Sequence, residues 1–352
     1  MNFFSERALS VVPYTAGEQP KDRRYIKLNT NENPYPPTPK LRELFSAFDP
    51  SALKYYPAPA SDALRREIAL CEGTETENVF CGNGSDEVLY LAFAAFFDRN
   101  RSACFADITY SFYEVFAKIH GVPYVTVPLD HDFRIDPEKL RAAQCAGYLI
   151  ANPNAPTGVG IPLAEMEAFT ASVPDKLVVA DEAYMDFYGQ SCVPLVRKYK
   201  NLLVVKTFSK SYSLAGIRCG YAIGDAALID GLFRMKDCMN SYPVDSFCEA
   251  VCSVALQDRE YHAETVRLVV SERERLRGSL LDLGFTVPES KANFLFAGKA
   301  KKSGGEIYRA LKEEGVLVRY WDRPILRDFC RITVGTPEEN RILIEKLKKI
   351  LS

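Results

Sequence analysis

Short, strongly apolar runs at residues 78–81, 102–105, 148–151, 177–180, 202–206 and 220–223 alternate with stretches of helical periodicity. Strands that are apolar on both faces belong to a sheet covered by helices on both sides, which is the setting of mostly parallel pairing. Between the first two runs, residues 86–97 place Val88, Leu91, Ala92, Ala95 and Phe96 on one stripe, so a helix is expected there. A shorter helix is expected over 165–172, opened after Pro162 and closed before Pro174. Beyond Pro243 the pattern changes. A long helical stretch with breaks covers 245–283, and strand-like segments at 294–296 and 331–334 flank a helix over 305–314. That is the pattern of a smaller α+β unit. The expected architecture is therefore α/β: an arm over 1–30 without a strong core pattern, a large domain with a mostly parallel central sheet over 31–243, and a small domain over 244–352.

Composition narrows the class of partner. The 352 residues carry a formal net charge of −2, whereas a non-specific nucleic-acid binder needs a basic surface to neutralise phosphates. Lys301, Lys302, Lys346, Lys348 and Lys349 read as solvated faces rather than a binding patch. The opening Met-Asn-Phe-Phe-Ser-Glu-Arg has no apolar core or small-residue cleavage pattern, so a signal peptide is not expected. No uncharged apolar stretch approaches the roughly 20 residues of a membrane span. The 10 cysteines are scattered singly without a Cys-x-x-Cys pair, which reads as reduced thiols in a cytoplasmic protein. His120, His131 and His262 lack ligand-like spacing, and no metal site is expected.

Polar signatures follow the ends of the apolar runs, and in an open α/β sheet the carboxyl edge is where ligands bind. Residues 82–87, Gly-Asn-Gly-Ser-Asp-Glu, lie between a strand and a helix, where free N–H groups and a positive helix end suit an anion. Gly84 and Ser85 are thus candidate phosphate ligands, although a plain β-to-α turn reads the same way. Residues 152–158, Asn-Pro-Asn-Ala-Pro-Thr-Gly, form a rigid turn in which Ala155–Pro156 is a candidate cis bond. Residues 178–184, Val-Val-Ala-Asp-Glu-Ala-Tyr, end a buried strand in carboxylates. Burying Asp181 is costly unless it meets a cation, such as a protonated pyridine nitrogen or a structural partner. Residues 207–218, Thr-Phe-Ser-Lys-Ser-Tyr-Ser-Leu-Ala-Gly-Ile-Arg, place Lys210 among hydroxyl groups with Arg218 eight positions on, a setting that suits Schiff-base chemistry.

Together, in this order and spacing, these segments resemble the class I and II aminotransferase family, fold-type I enzymes that use pyridoxal 5′-phosphate. The resemblance runs from about residue 25 to the end. It implies that Lys210 holds the cofactor as a Schiff base and shuttles the proton between the substrate carbon and the cofactor C4′. It implies that Asp181 keeps the pyridine nitrogen protonated and that Tyr184 bonds the phenolic oxygen. Gly84, Ser85, Thr207, Ser209 and Arg218 would form the phosphate side of the cofactor site, and Tyr110 would stack on the ring. The family often has asparagine where this chain has Ala155, so Asn154 is expected to take over the second contact to the phenolic oxygen.

Four more segments resemble the histidinol-phosphate aminotransferase branch: Pro13-Tyr14, Lys-Leu-Asn-Thr-Asn-Glu-Asn-Pro at 27–34, Tyr-Tyr-Pro at 55–57 followed by Leu64-Arg65, and Cys-Arg-Ile-Thr-Val-Gly at 330–335. By that resemblance Arg331 would bind the α-carboxylate of glutamate, and Arg319 the phosphate of histidinol phosphate or the distal carboxylate of glutamate. Tyr14 and Asn31 would line the substrate entrance. Tyr56 would reach the cofactor phosphate of a neighbouring subunit, which implies a homodimer in histidine biosynthesis. An aromatic amino-acid aminotransferase and a threonine-phosphate decarboxylase are the alternatives on the same fold. A regulatory module without turnover is disfavoured, because only about 25 residues precede the first family-like segment.

Overall fold

The apolar runs do form one sheet. The protein is described here from a computed structural model covering residues 3–298 and 300–352. Met1 and Asn2, at the start of the expected arm, and Lys299 lie outside the described residues. The chain opens with α1 (Glu6–Ser10), β1 (Ile26–Leu28), α2 (Leu41–Ala47) and α3 (Asp62–Glu72). Strands and helices then alternate through β2 (Val79–Gly82), α4 (Gly84–Phe96), β3 (Ala103–Ala106), α5 (Phe112–His120), β4 (Tyr124–Val127) and α6 (Pro137–Ala142). They continue through β5 (Gly147–Ala151), α7 (Leu163–Ser172), β6 (Leu177–Asp181), β7 (Leu202–Thr207), β8 (Gly220–Gly224), α8 (Ala226–Met239) and α9 (Ser246–Gln257). The last part is α10 (Arg259–Asp282), β9 (Phe294–Gly298), α11 (Gly304–Glu313), β10 (Val316–Tyr320), β11 (Phe329–Thr333) and α12 (Pro337–Leu351).

The large sheet has 7 strands in the order β2-β8-β7-β6-β5-β3-β4. Its parallel strands β3, β5, β6 and β7 are buried on both faces because alternate side chains feed two cores. Tyr148, Ile150, Leu202 and Val204 join one core with α3, α7 and α9, while Leu149, Ala151, Leu203 and Val205 join the other with α4, α5 and α8. Strand β8 alone runs antiparallel to both neighbours, so that Gly220 pairs with Gly82 at one side and Thr207 at the other. The consequence reaches the site: the residues just before β8 arrive at the carboxyl edge of the sheet, against the start of α4.

A second sheet of 4 strands, ordered β1-β10-β11-β9, packs its core against α10, α11 and α12. Here the structure departs from the sequence reading. Three arm residues form β1, parallel to β10 with Ile26 opposite Val316, a run too short to stand out in the sequence. Strands β4 and β10 were also not among the expected runs; β4 is half exposed and β10 carries Arg319. A boundary at 243 would put α9 with the small domain, yet Cys248, Val251, Cys252 and Ala255 pack into the large-sheet core beside α2 and α3. The singly scattered cysteines also meet at one place. The sulfur atoms of Cys219, Cys248 and Cys252 lie within 4.8 Å of one another, because one turn of α9 brings its two thiols over the start of β8. Among the described residues, no helix is long and apolar enough to cross a membrane.

Beneath the carboxyl edge lies a buried ion cluster. Lys206 on β7 is 2.8 Å from Glu72 and 3.2 Å from Asp186, while Tyr221 donates to the same Glu72 oxygen at 2.6 Å. Burial alone would raise the Asp186 carboxyl, but Lys206, His262 and Ser211 together hold it far below its ordinary range. Lys206→Met leaves these carboxylates without their shared cation, and an expected loss of about 3–5 kcal/mol would appear as a lower urea midpoint. An unchanged midpoint would show that the cluster contributes nothing to stability.

Candidate active site

Past the end of β7, the chain turns sharply into a cavity of about 240 Å³ that opens at the carboxyl ends of β5 and β6. The Thr207 hydroxyl accepts the Ser209 N–H at 3.1 Å and donates to the Cys219 carbonyl at 3.3 Å, so residues 207–210 are tied to the strand entering beside them. The turn delivers Lys210 into the cavity, where its Nζ donates to the Thr30 carbonyl at 3.4 Å and lies 5.7 Å from the centre of the Tyr184 ring.

On one side of Lys210 is an anion cradle. Gly84 has φ +81°, and a Cβ there would sit 2.6 Å from Nη2 of Arg218. A Cβ on Gly220 would meet the Ser85 backbone nitrogen at 2.3 Å. Gly220 is required by the close approach of the α4 backbone, and Gly84 by its left-handed φ, with the Arg218 guanidinium packed where a Cβ would stand. Arg218 itself holds a left-handed φ of +60° and is loosely partnered, by Asp86 at 3.4 Å and the Ala215 carbonyl at 3.3 Å. The N–H groups of the helix start, a guanidinium and the Ser209 hydroxyl are the kind of donors that suit a phosphate group.

At the floor stands Asp181, the last residue of β6 and 5% exposed. Burial raises its carboxyl to about 6, opposed by the Tyr113 hydroxyl, which donates to it at 2.7 Å, and by the Ala183 N–H. A desolvated carboxylate with only neutral donors selects a cation from the ligand. Tyr110 walls the cavity and donates to Asp86 at 2.6 Å, and Tyr184 accepts from the Asn31 side chain at 2.9 Å. Asn31 lies in the left-handed region at φ 57° and is held by Thr333 and Asn293, so it links the two sheets across the cavity.

Asn154 requires a correction. Its amide donates to the Ile108 carbonyl and the Thr157 hydroxyl and accepts from Thr109, all behind the cavity wall. Ala155 lines the cavity in its place, so a methyl group stands where the family often has an asparagine. Both Asn152–Pro153 and Ala155–Pro156 are cis. Tyr56 does not line the cavity; it is 82% exposed and stacks on Tyr242 with ring centres 4.7 Å apart.

The small sheet supplies the opposite wall. Arg319 and Arg331 are direct cross-strand partners, and both line the cavity. Arg331 donates to the Asn29 carbonyl at 3.1 Å, leaving its Nε buried without a partner. Burial pushes its pKa down. Arg319 donates to the carbonyls of Thr15 and Ala16, which brings Tyr14 to the mouth, packed on Phe112 at 4.5 Å. Two residues escaped the sequence reading. Tyr113 is the hydroxyl on Asp181, and Asp86 joins Tyr110 to Arg218. The spacing of Tyr110 and Tyr113 was a usable signal, since three residues at a helix start put both on one face.

The aminotransferase class I and II family matches residues 23–347. The chain belongs to this family. Histidinol-phosphate aminotransferase of Clostridium beijerinckii is 45% identical over 350 residues, covering 99% of this chain and 98% of that protein. Histidinol-phosphate aminotransferase 1 of Bordetella parapertussis is 48% identical over 342 residues, covering 97% and 96%. In fold, the chain is similar to the crystal structure of histidinol-phosphate aminotransferase from Sinorhizobium meliloti in complex with pyridoxal-5′-phosphate. The TM-score is 0.89 at 24% identity, over 100% of this chain and 98% of that one. In this aminotransferase Lys210, the buried Asp181 and the pair Arg319 and Arg331 line one cavity.

Asp181 yields a pH prediction for the cofactor-free protein. A carboxyl raised by folding keeps a proton that the unfolded chain releases, so its contribution is present at low pH and lost as pH rises from about 4 through about 6. Asp181→Asn cannot ionise. The variant is expected to match the parent near pH 4 and to exceed it by about 3 kcal/mol above pH 7, as measured by urea unfolding. A parent equally stable at the higher pH would refute a desolvated carboxyl.

Proposed function

We propose that the chain is a pyridoxal-phosphate-dependent histidinol-phosphate aminotransferase, which exchanges the amino group of histidinol phosphate with 2-oxoglutarate to give imidazole acetol phosphate and glutamate. The observation that carries this reading is the cross-strand pair of Arg319 and Arg331 facing the same cavity as Lys210. Two adjacent guanidiniums suit a substrate with two negative charges. Histidinol phosphate bears them on one phosphate ester, and glutamate bears them on two carboxylates. An aromatic amino acid has only one carboxylate and would leave one guanidinium without an anion. The near-full-length identity to relatives of that name supports the same choice.

The residues present fit the cofactor. Gly84, Ser85, Ser209 and Arg218 would hold its phosphate where any Cβ on Gly84 would intrude, with Thr207 bracing the turn. Asp181, lacking a cation, would meet the protonated ring nitrogen, and Tyr113 would keep the carboxylate oriented. Tyr110 would cover one ring face, and Tyr184 would bond the phenolic oxygen without help from Asn154. When bound, pyridoxal phosphate supplies an aldehyde that joins an amine and a ring that draws electrons from the amine-bearing carbon. Lys210 Nζ would anchor the cofactor and, as a free amine, would take the proton from the donor's amine-bearing carbon. Arg331 forks onto the α-carboxylate of glutamate, while Arg319 takes its distal carboxylate or the phosphate of histidinol phosphate. Tyr14 and Asn31 narrow the entrance.

The same reading includes a homodimer, in which exposed Tyr56 reaches the neighbouring subunit's phosphate site, and a cytoplasmic location. It includes a division into an arm (1–30), a large cofactor domain (31–243) and a small domain (244–352), with α9 packed back on the large one.

Lys210→Ala is expected to abolish the Schiff-base absorbance and to lower transamination by more than about 10⁴-fold, since anchoring and proton transfer fail together. Survival of both signals would overturn the assignment. A coupled assay compares histidinol phosphate, phenylalanine and threonine phosphate as donors to 2-oxoglutarate. Histidinol phosphate is expected to have the highest kcat/KM, exceeding phenylalanine by at least about 10²-fold, the cost of leaving a buried charged group unpaired. Preference for phenylalanine, or release of carbon dioxide from threonine phosphate, would sink the substrate assignment.

A further inference from the structure

We infer that Trp321 is a positioning residue that sets the spacing and orientation of Arg319 and Arg331, and through them the preference for doubly charged substrates; this rests on the function proposed above.

Strand geometry puts the three side chains together. In the antiparallel ladder Arg319 faces Arg331 and Tyr320 faces Cys330. Trp321 lies two positions beyond Arg319, so it emerges on the same face as a diagonal neighbour of Arg331, within reach of a large side chain. Its ring centre is 5.2 Å from Arg319 Cζ and 5.3 Å from Arg331 Cζ. On the other flank of Arg331, Phe294 pairs with Thr333 and is again a diagonal neighbour, with its ring centre 5.3 Å from the same carbon. Arg331 therefore stands between two aromatic rings and shares one of them with Arg319.

Like charges opposite each other on a ladder repel, so something must hold them there. The carbonyls of Asn29, Thr15 and Ala16 that accept from the pair are neutral, and the Glu18 carboxylate attracts Arg319. The indole is the group common to both cations. A ring over the face of a guanidinium leaves its N–H edges free, which is the orientation that receives a carboxylate or phosphate side-on. The buried, unpartnered Nε of Arg331 is one such edge. Trp321 does not line the cavity that holds Lys210. It lines an adjoining cavity of about 410 Å³, and both arginines line the two. The indole thus backs the pair from the far side and acts through it.

The chain contains a single tryptophan, so its fluorescence reports this position alone. Holoenzyme titrated with succinate, and separately with inorganic phosphate, is expected to show a saturable change in indole emission with midpoints matching their competitive inhibition constants. In Trp321→Leu the KM for 2-oxoglutarate and histidinol phosphate and the inhibition constant of succinate are expected to rise together by roughly 5–50-fold, from two lost cation–π contacts. Its kcat should stay within about threefold, because binding is lost equally in ground and transition states. Trp321→Phe keeps a ring and should recover most of the affinity.

Parent-like constants in Trp321→Leu, or no emission change with either anion, would overturn the inference. So would an equal loss of kcat and thermal stability in both variants, which is the mark of plain packing. If the parent fails on histidinol phosphate while succinate still moves the emission and Trp321→Leu still raises the KM for glutamate, the proposed donor is wrong and the positioning role stands.

Discussion

The two sheets of this protein present opposite, uncompensated charges to one cavity. Asp181 ends β6 in a buried setting with neutral donors only, and Arg331 lines the same cavity from the small sheet with a carbonyl and two aromatic rings for company. A buried charge without a counter-charge costs several kcal/mol, and packed apolar residues would be more stable. A fold that keeps such charges has been shaped by what completes them. The cation for Asp181 and the anions for the arginines must come from outside, and the distance between the sheets sets what can bridge them.

That cavity depends on one irregularity of topology. If β8 ran parallel like its neighbours, its first residue would lie at the opposite edge and Arg218 would be remote from the start of α4. Running antiparallel, β8 begins at Gly220 between Gly82 and Thr207, and the preceding Arg218 drops onto Gly84. The close approach explains both glycines in physical terms: each Cβ would overlap an atom of the partner segment. The phosphate cradle is thus a product of strand direction first and side-chain chemistry second.

Much of this was legible in the sequence, for identifiable reasons. Strands β5, β6 and β7 are apolar on both faces for most of their length, and Asp181, which ends β6, and Lys210, which follows β7, fall at the ligand edge by position alone. What was illegible is set by contacts between distant segments. Strand β1 is three residues that become a strand only by pairing with β10, and α9 joins the large core through contacts with α2 and α3. Asn154 looked like a ligand because it stood beside Ala155, but Ile108 and Thr109 claim its amide from 46 and 45 positions away. The role of Trp321 depends on a register that no local pattern encodes.

The clearest lesson is in two lysines four residues apart. Lys206 lies on β7, desolvated, and is surrounded by Asp186, Glu72 and Glu182, which outweigh burial and hold its proton firmly. Lys210 lies past the strand end, with one long hydrogen bond to a carbonyl and the face of Tyr184 nearby. A lysine clamped by carboxylates could neither form a covalent bond through its nitrogen nor release and regain a proton. Lys206 thus pairs with the carboxylates beneath the sheet edge, at 2.8 Å from Glu72 and 3.2 Å from Asp186. Ser211 joins the two layers, donating to Asp186 below while its carbonyl accepts from Asn33 above. The reactive amine is therefore placed above a buried ion cluster and left with weak hydrogen-bond partners of its own, the condition under which its nitrogen can change bonding partners.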